Sequence, residues 1–396
     1  MLKLEKEINN ILPKVIEWRR QIHQFPELGF KEFKTAALVT NVLDNLGLKI
    51  VRYPDSTGVI VVLEGEKPGP TIGFRADMDA LEVTEQVDVP FKSKHKGIMH
   101  ACGHDFHVAI LMGAAKILSS HKENLEGKII FVFQPAEEAP PGGAQELVKK
   151  GLFKDFEIDR MMALHVARDL EVGHIQITPG YSSANTDGAV IEIHGESCHG
   201  ATPNKGVDAV MIGAQLVVAL QSIVSRNVDP LDAAVISVGI LEGGELDNSI
   251  ADKATLKITI RSLTQKTREL LKKKVYQVTQ GICQTFGAEA TIDYQEGYPA
   301  VYNDDKVIKQ IKDTAAEVLG KDRIHEVPQS NMGGDDYAYF LQEVPGAIFL
   351  LGGAFPDKKN YPHHSPFFQI NENCIIHGLR MVTSLLQNNG NEESGI

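Results

Sequence analysis

Short apolar runs alternate with amphipathic stretches along the first part of the chain. The apolar runs predict buried strands at residues 59–63, 71–74, 128–133 and 161–164. The amphipathic stretches predict helices at residues 4–24, 33–46, 106–119 and 143–150. Because the apolar runs lack the polar alternation of a half-exposed strand, both faces of these strands should be covered. The pattern therefore predicts an α/β fold, with a mostly parallel sheet between helices.

The pattern changes after Pro179 and Gly180. Strands are predicted at residues 189–194, 233–241, 254–260 and 288–294, with helices at 206–225 and 267–285. The order β-α-β-β-α-β is that of the ferredoxin-like α+β unit. A helix near 307–319, a strand at 347–351 and a helix at 371–386 then resume the first pattern, before a polar tail that should fray. We therefore expect one domain inserted into another, with residues 183–296 inserted between residues 1–182 and 297–396.

Length and composition fit two soluble globular domains. The chain has 396 residues, of which 43% are hydrophobic and 23% are charged. Its longest apolar run, residues 207–224, is interrupted by Asp208 and Gln215, so no membrane span is expected. The first residues carry charges and no apolar signal core.

The net charge and the cysteine content limit which binding partners and which cellular compartment are expected. The net charge of −12 disfavours nucleic acid and anionic membranes as partners. The four cysteines are widely spaced, which fits free thiols better than a disulfide framework. A cytoplasmic location is therefore expected.

Polar residues follow several of the predicted buried strands. Asp77 and Asp79 come after the second strand, Glu137 and Glu138 after the third, and His165 after the fourth. In open α/β sheets, ligands bind outside the carboxyl ends of the strands. We therefore expect these five side chains to converge on one crevice.

Cys102 and His104 are a candidate pair of metal ligands. They lie two residues apart in a glycine-containing segment, predicted to be a loop, so both could turn toward one point. Either residue alone would more often be a buried thiol or a hydrogen-bonded imidazole. Their pairing with adjacent glutamates favours a metal-dependent hydrolase, because one glutamate could bind metal while the other moves protons. His107, three residues after His104, is expected to be a supporting or packing residue.

Three further segments leave alternatives open. His363 and His364 are adjacent, so one of them is expected to reach the crevice, and we favour His364. Asp335 and Asp336 could lie in the site or cap the following helix. His199 could be a turn residue or a donor that faces the substrate.

A series of motifs resembles the M20 metallopeptidase superfamily. The motifs occur in order along nearly the whole chain: RRQIHQFPELGFKE, FRADMDAL, MHACGHD, QPAEE with GGA, LHV, HGATP, GGDDYAYF and HHSPFF. The closest similarity is to its amidohydrolase branch, subfamily D. That branch includes indole-acetyl-amino-acid hydrolases, N-acetyl-diaminopimelate deacetylases, aminoacylases and carboxypeptidases.

The resemblance implies a di-metal catalytic domain with an inserted lid and dimerisation domain. The implied metal ligands are Cys102, His104, Glu138, His165 and His364. Cys102 would occupy a bridging position, and Glu137 would be the general base. His199 would act across a dimer on the partner's active site, and Asn248 and Arg261 would lie near the substrate carboxylate. Two divalent ions per subunit are implied; zinc is expected, while Mn, Co and Ni also suit the donor set.

The expected function is hydrolysis of the amide bond of N-acyl amino acids or short peptides by a homodimer or a higher homo-oligomer. A metallo-carboxypeptidase acting on peptides is the nearest alternative. A thiol hydrolase using Cys102 would leave the two glutamates unexplained. A metal-binding protein without activity would not need Glu137 in addition to the ligands.

Overall fold

The computed structural model describes residues 2–328 and 331–388. In chain order, its strands are β1 (Lys49–Val51), β2 (Val59–Glu64), β3 (Lys67–Asp77), β4 (Glu126–Gln134), β5 (Arg160–Glu171), β6 (Ile175–Ile177), β7 (Gly180–Tyr181), β8 (Asn185–His194), β9 (Cys198–His199), β10 (Ala234–Gly243), β11 (Ser249–Ile250), β12 (Lys253–Ser262), β13 (Glu289–Gln295), β14 (Tyr302–Asn303), β15 (Ile324–Glu326) and β16 (Gly346–Ala354). The helices are α1 (Leu2–Gln24), α2 (Phe33–Asp44), α3 (His104–Ser119), α4 (Gly143–Lys150), α5 (Leu152–Phe156), α6 (Ala209–Asn227), α7 (Gln265–Thr285), α8 (Asp305–Val318), α9 (Ala338–Leu341) and α10 (Cys374–Gln387).

The chain forms two compact units. The first comprises Met1–Gly180, Tyr302–Gln329 and Asp336–Ile396, and the second comprises Tyr181–Val301 and Ser330–Asp335. The inclusion of residues 330–335 in the second unit was not expected from the sequence. The roles assigned to the two domains from the resemblance stay predictions. From residue 389 onward, the tail expected to fray lies outside the described residues.

An eight-stranded sheet forms the centre of the first unit, in the order β1-β2-β4-β3-β5-β16-β6-β15. The central strands β4, β3, β5 and β16 run parallel to one another. Antiparallel pairs occur toward the edges, between β1 and β2 and between β2 and β4. Every residue from Ile129 to Phe133 on β4 is at most 1% exposed, as expected for a strand covered on both faces. The predicted α/β fold with a mostly parallel sheet is confirmed.

Helix α3 is held tightly in the core of this unit. It packs on β3 and is covered by α1 and α10. At Gly113, a Cβ atom would lie only 2.6 Å from a methyl group of Leu379 on α10 and 2.8 Å from one of Val15 on α1, so a larger residue would require these side chains to shift. The packing fixes the first turn of α3, which carries His104 and His107.

The second unit contains a four-stranded antiparallel sheet in the order β10-β12-β8-β13. Helices α6 and α7 pack on this sheet, so the chain order β8-α6-β10-β12-α7-β13 is the predicted ferredoxin-like arrangement. Strand β8 alternates buried and partly exposed residues along its length, which shows that only one face is covered by the helices.

Two helix starts differ from the predicted ones, one because of a capping side chain and one because of a glycine. Helix α6 begins three residues later than predicted because Asp208 accepts a hydrogen bond from the amide of Met211 at 3.0 Å. Helix α3 begins two residues earlier, at His104, because Gly103 takes a left-handed conformation with φ of 95°. The sequence suggested that His104 lies in a loop. In the structure it is the first residue of α3.

By length and composition alone, α6 could cross a membrane, and it is the one helix among the described residues to meet that requirement. A core helix of a folded domain can meet the same requirement, so this finding does not overturn the expectation based on residues 207–224. Asp208 lies outside the helix, as its N-cap. Gln215 alone leaves the mean hydropathy of α6 high enough to meet the requirement. In the second unit, the buried residues of α6 include Ile212, Leu216 and Leu220, which belong to its hydrophobic core.

Candidate metal centre

Three strands of the first unit carry the candidate residues to one edge of the sheet. Strand β3 ends at Asp77, and β4 ends at Gln134, three residues before Glu137. Strand β5 continues past His165 to Glu171, whereas the sequence predicted that it would end near His165. It pairs with β3 only as far as Ala163, so His165 lies just beyond the end of that pairing.

Six of the predicted site residues lie together in the first unit. Their potential ligand atoms form three overlapping groups in which all atoms lie within 4.8 Å of one another. These groups are Cys102 with His104 and His165, Cys102 with Glu138 and His364, and His104 with Glu137 and Glu138. The five implied ligands and the implied base are thus close together, although they come from four separate segments of the chain.

Cys102 belongs to two of these groups. Its Sγ atom lies 3.4 Å from Nε2 of His165, and burial raises the pKa of its thiol even though His104 acts in the opposite direction. A divalent cation held by the sulfur would reverse this effect and favour the thiolate.

The imidazole of His104 has one nitrogen engaged and one available. Nδ1–H donates to the backbone carbonyl of Asp79 at 2.9 Å, while the buried Nε2 makes no hydrogen bond among the described residues and lies 3.5 Å from the Asp77 carboxylate. Metal-binding histidines commonly donate their second N–H to a carbonyl or carboxylate in this way. The unsatisfied Nε2 and the surrounding S, N and O donors fit a divalent transition metal.

His165 is a neutral imidazole in this environment. Burial lowers its pKa well below the usual range, and the neighbouring rings of His107 and His363 act in the same direction. Its Nδ1–H donates to the carbonyl of Val166 at 2.9 Å, which leaves Nε2 directed toward Cys102. With its proton on Nδ1, the neutral ring presents the lone pair of Nε2 to the other donor atoms, as a metal ligand requires.

The two adjacent histidines near the end of the chain have different surroundings. His364 Nε2 lies 3.0 Å from the Glu138 carboxylate, and hydrogen bonds to Cys102 and Glu138 raise the pKa of His364 to about 10. His364 has φ of 66°, a rare conformation for a residue other than glycine. His363 contacts the carbonyl of Val166 at 3.3 Å instead. The geometry thus favours His364 as the residue facing the donor groups.

His107 is not available as a ligand. Its Nδ1–H donates to the Asp77 carboxylate at 2.6 Å, and its Nε2 accepts the amide N–H of Val166 at 3.0 Å. With both nitrogens occupied, His107 supports the strand that carries His165. This agrees with the supporting role expected from its spacing.

A buried polar network holds the strand ends in place, and sequence reasoning did not identify it. Arg75 pairs with Asp77 at 2.7 Å and donates to the side-chain oxygen of Gln134 at 2.8 Å. The Gln134 amide donates to both oxygens of Asp336 at 2.7 and 2.9 Å, and the amide of Ala144 donates to Asp336 at 2.8 Å. The Asp336 side chain therefore ties strand ends together and does not cap α9. The one available signal was a charged Arg75 inside an otherwise apolar strand.

The remaining predicted residues belong to the second unit. His199 is exposed on β9, which pairs with β11, and the amide of Gly200 donates to the carbonyl of Asn248 at 2.7 Å. Nδ1 of His199 accepts the amide N–H of Ala201 at 3.0 Å, so in the neutral ring the proton lies on Nε2. His199 is thus a turn residue that also presents an N–H donor. Arg261 lies on β12, with its guanidinium 3.4 Å from the carbonyl of Asp187.

Comparisons with known proteins place the chain in a family. The profile of Peptidase family M20/M25/M40 matches residues 73–388. YhaA of Bacillus subtilis, a protein assigned as an amidohydrolase, is 39% identical over 385 residues, 96% of both chains. N-acetyl-L-cysteine deacetylase of the same organism is 38% identical, over 94% of this chain and 86% of its own length. N-acetyldiaminopimelate deacetylase of Priestia megaterium is 36% identical, over 95% of this chain and 98% of its own length.

Solved structures that resemble this chain indicate the same family. A Staphylococcus aureus protein assigned as an aminohydrolase superposes with a TM-score of 0.92 at 31% identity, covering 98% of this chain and 99% of that one. The Bacillus subtilis YXEP protein, a dinuclear metal-binding peptidase of the M20 family, has a TM-score of 0.83 at 29% identity. The superposition covers 96% of this chain and 98% of that one. Since the likeness extends over sequence, fold and nearly the full length, the chain belongs to peptidase family M20/M25/M40 and is an enzyme of the metal-dependent amidohydrolase type.

Proposed function

We propose that the protein cleaves the amide bond between an acyl group and an amino acid or short peptide, with two divalent metal ions in each subunit. The observation that carries the proposal is the pair of donor groups that share Cys102, with Glu137 beside them. A hydrolase that only bound one ion would not need two overlapping donor sets. A protein that only bound metal would not need Glu137 in addition.

The proposed ligands are Cys102, His104, Glu138, His165 and His364. Cys102 is assigned the bridging position that the family resemblance implies, and its sulfur belongs to two of the donor groups. Sulfur, nitrogen and oxygen donors together suit zinc, which we propose as the native ion, and are also compatible with Mn, Co and Ni.

The proposed reaction assigns separate tasks to the residues. When bound, the two ions would polarise the substrate carbonyl and make water a better nucleophile. Glu137, which is 8% exposed, takes the proton from the attacking water and returns it to the leaving amine. His199 donates its Nε2–H to the carbonyl oxygen as negative charge develops there, acting on the partner subunit's site. Asn248 and Arg261 hold the carboxylate of the substrate.

The relatives support a small N-acyl amino acid as the substrate. Two of them are named as deacetylases, one of N-acetyl-L-cysteine and one of N-acetyldiaminopimelate. We therefore propose acetyl as the first acyl group to test. We further propose a homodimer or higher homo-oligomer formed through the second unit, and a cytoplasmic location, which is supported by four free cysteines.

A hydrolysis screen tests the proposed function. N-acyl amino acids and dipeptides are incubated with the protein, with added divalent ions or after chelation, and the released amine is measured. We expect release from N-acyl amino acids that stops on chelation and returns with a divalent ion. Preferential hydrolysis of dipeptides over N-acyl amino acids would instead support a metallo-carboxypeptidase. Full activity in protein shown by elemental analysis to be free of metal would contradict both.

Replacing Cys102 separates a metal ligand from a nucleophile. A nucleophilic thiol forms a covalent acyl intermediate, whereas a metal-bound thiolate does not. Cys102→Asp supplies oxygen donors and should keep part of the activity, with a shift in preference toward a harder ion such as Mn. Activity is measured across a series of metals. Mass spectrometry that finds an acyl group on Cys102 during turnover would support the thiol hydrolase and overturn this assignment.

A further inference from the structure

Glu32 is a buried acidic residue whose side chain reaches the segment that carries Glu137. It belongs to the PELGFKE motif, lies directly before α2 and is fully buried. Its Oε1 accepts the amide N–H of Ala136 at 2.8 Å and that of Phe30 at 3.0 Å. Its Oε2 accepts the hydroxyl hydrogen of Thr57 at 2.5 Å. Three donors therefore converge on one carboxyl group, and one of them is the residue before Glu137.

Ala136 has a conformation that needs outside support. Its φ is 49°, in the left-handed region that residues with a Cβ atom rarely occupy. Such conformations cost on the order of 1–3 kcal/mol and persist only where surrounding contacts impose them. The contacts on Ala136 are the Glu32 carboxylate on its N–H and the amide of Gly143 on its carbonyl, at 3.0 Å.

The motif also packs directly on this segment. At Gly29, a Cβ atom would lie 2.8 Å from Cβ of Ala139 and 3.0 Å from Cβ of Ala136, so a larger residue would push the two segments apart. Beyond Ala136, the amide of Glu138 donates to the Asp79 carboxylate at 2.9 Å. The segment with the two glutamates is thus fixed on both sides of Glu137.

Glu32 stands at the N-terminus of α2, but its side chain is not needed to cap the helix. Its side chain makes no capping hydrogen bond there. Glu27 performs that task, because its carboxylate accepts the amides of Lys34 and Thr35 at 2.9 and 3.0 Å. Burial raises the pKa of Glu32 to about 7, against the effect of the Thr57 hydroxyl, which shows the cost of keeping a carboxyl group at this position. An apolar side chain would avoid that cost if packing were the whole role.

We propose that Glu32 is a positioning residue for catalysis: it holds Ala136 in the left-handed conformation and thereby orients Glu137, whereas Glu138 is held separately by its amide hydrogen bond to Asp79. This role rests on the proposed function, since it acts through the proposed base, Glu137. Misplacement of a catalytic group by about 1 Å can cost on the order of 10²-fold in rate. The effect of losing Glu32 should therefore appear in kcat.

The test compares Glu32→Leu with Glu32→Gln and with Glu27→Leu as the matched control. Glu32→Leu removes every acceptor and should lower kcat by roughly 10- to 100-fold, with KM and metal content unchanged. Glu32→Gln should recover most of the activity, because its oxygen accepts the two amides and the Thr57 hydroxyl can accept from its NH2. Glu27→Leu weakens the α2 cap and should lower Tm while leaving kcat near that of the wild type. If Glu32→Leu does not fold, Glu32→Met, which has an unbranched chain, replaces it.

Two further measurements make the result specific. Hydrogen exchange of a peptide covering residues 134–143 should be faster in Glu32→Leu than in Glu27→Leu, and this readout needs no substrate. Adding Ala136→Gly to Glu32→Leu should restore part of kcat, because glycine adopts positive φ without strain.

The outcomes distinguish this role from the proposed function. A wild-type protein that hydrolyses nothing in the screen would overturn the proposed function, while hydrogen exchange would still report on the contact. Wild-type kcat in Glu32→Leu, unchanged exchange at residues 134–143, or equal loss of activity in Glu32→Leu and Glu27→Leu would overturn the positioning role. A loss of bound metal in Glu32→Leu that parallels its loss of kcat would also overturn the positioning role.

Discussion

Glu137→Gln is expected to lower kcat by about 10² or more while the protein keeps its full metal content. The amide cannot accept a proton from water, but it has nearly the same shape as the carboxylate, and Glu137 is not among the proposed ligands. Substrate binding should change little, so the loss should appear in kcat rather than in KM. Steady-state kinetics and elemental analysis on the same preparation measure both quantities.

The neighbouring residue provides the control. Glu138 lies 3.0 Å from His364 and shares a donor group with Cys102, so Glu138→Gln should lower metal occupancy as well as activity. Added divalent ion should partly rescue Glu138→Gln but not Glu137→Gln. If both variants lose metal equally, or if Glu137→Gln stays active, the roles of the two residues are wrongly assigned.

His199→Ala is expected to lower kcat by about 10²–10³, the range found when a single oxyanion donor is removed. The Nε2–H of His199 is available as a donor because Nδ1 already accepts the amide of Ala201. Metal content should not change, since the proposed ligands all belong to the first unit and His199 to the second. Kinetics combined with elemental analysis tests both expectations.

Mixing two inactive variants tests whether His199 acts across a dimer. In a mixed dimer of His199→Ala and Glu137→Gln, action on the partner's site leaves one site intact and one with both defects, so activity should return. Action within the same subunit leaves one defect in every site, and no activity should return. Subunit exchange is demonstrated separately with labelled protein. Absence of rescue after proven exchange would rule out the action across the dimer.

The fold was predictable because its signals are local. Unbroken apolar runs marked the central strands, and the change of pattern after Gly180 marked the ferredoxin-like unit. Short strands such as β6 and β15 have only three residues each, and too few positions exist for a periodic pattern to emerge. Helix starts were missed where one capping side chain, such as Asp208, decides the boundary.

The candidate site was only partly predictable from residue chemistry. Convergence of Glu137 and His165 was predictable from the rule that ligands bind at the carboxyl ends of parallel strands, although β5 itself continues past His165. The contacts of Glu32 and Asp336 could not be inferred, because each joins segments more than 100 residues apart. Such pairs are fixed by tertiary packing, and neither spacing nor composition records them.

The division of the first unit into separate stretches of chain has a consequence for biosynthesis. Asp336 and His364 are translated only after the whole of residues 181–301, so a ribosome-bound chain lacks both the brace on Gln134 and a proposed metal donor until late in its synthesis. The second unit has its own hydrophobic core and can acquire structure earlier. A nascent chain therefore cannot acquire its complete set of proposed metal donors before its last segment emerges.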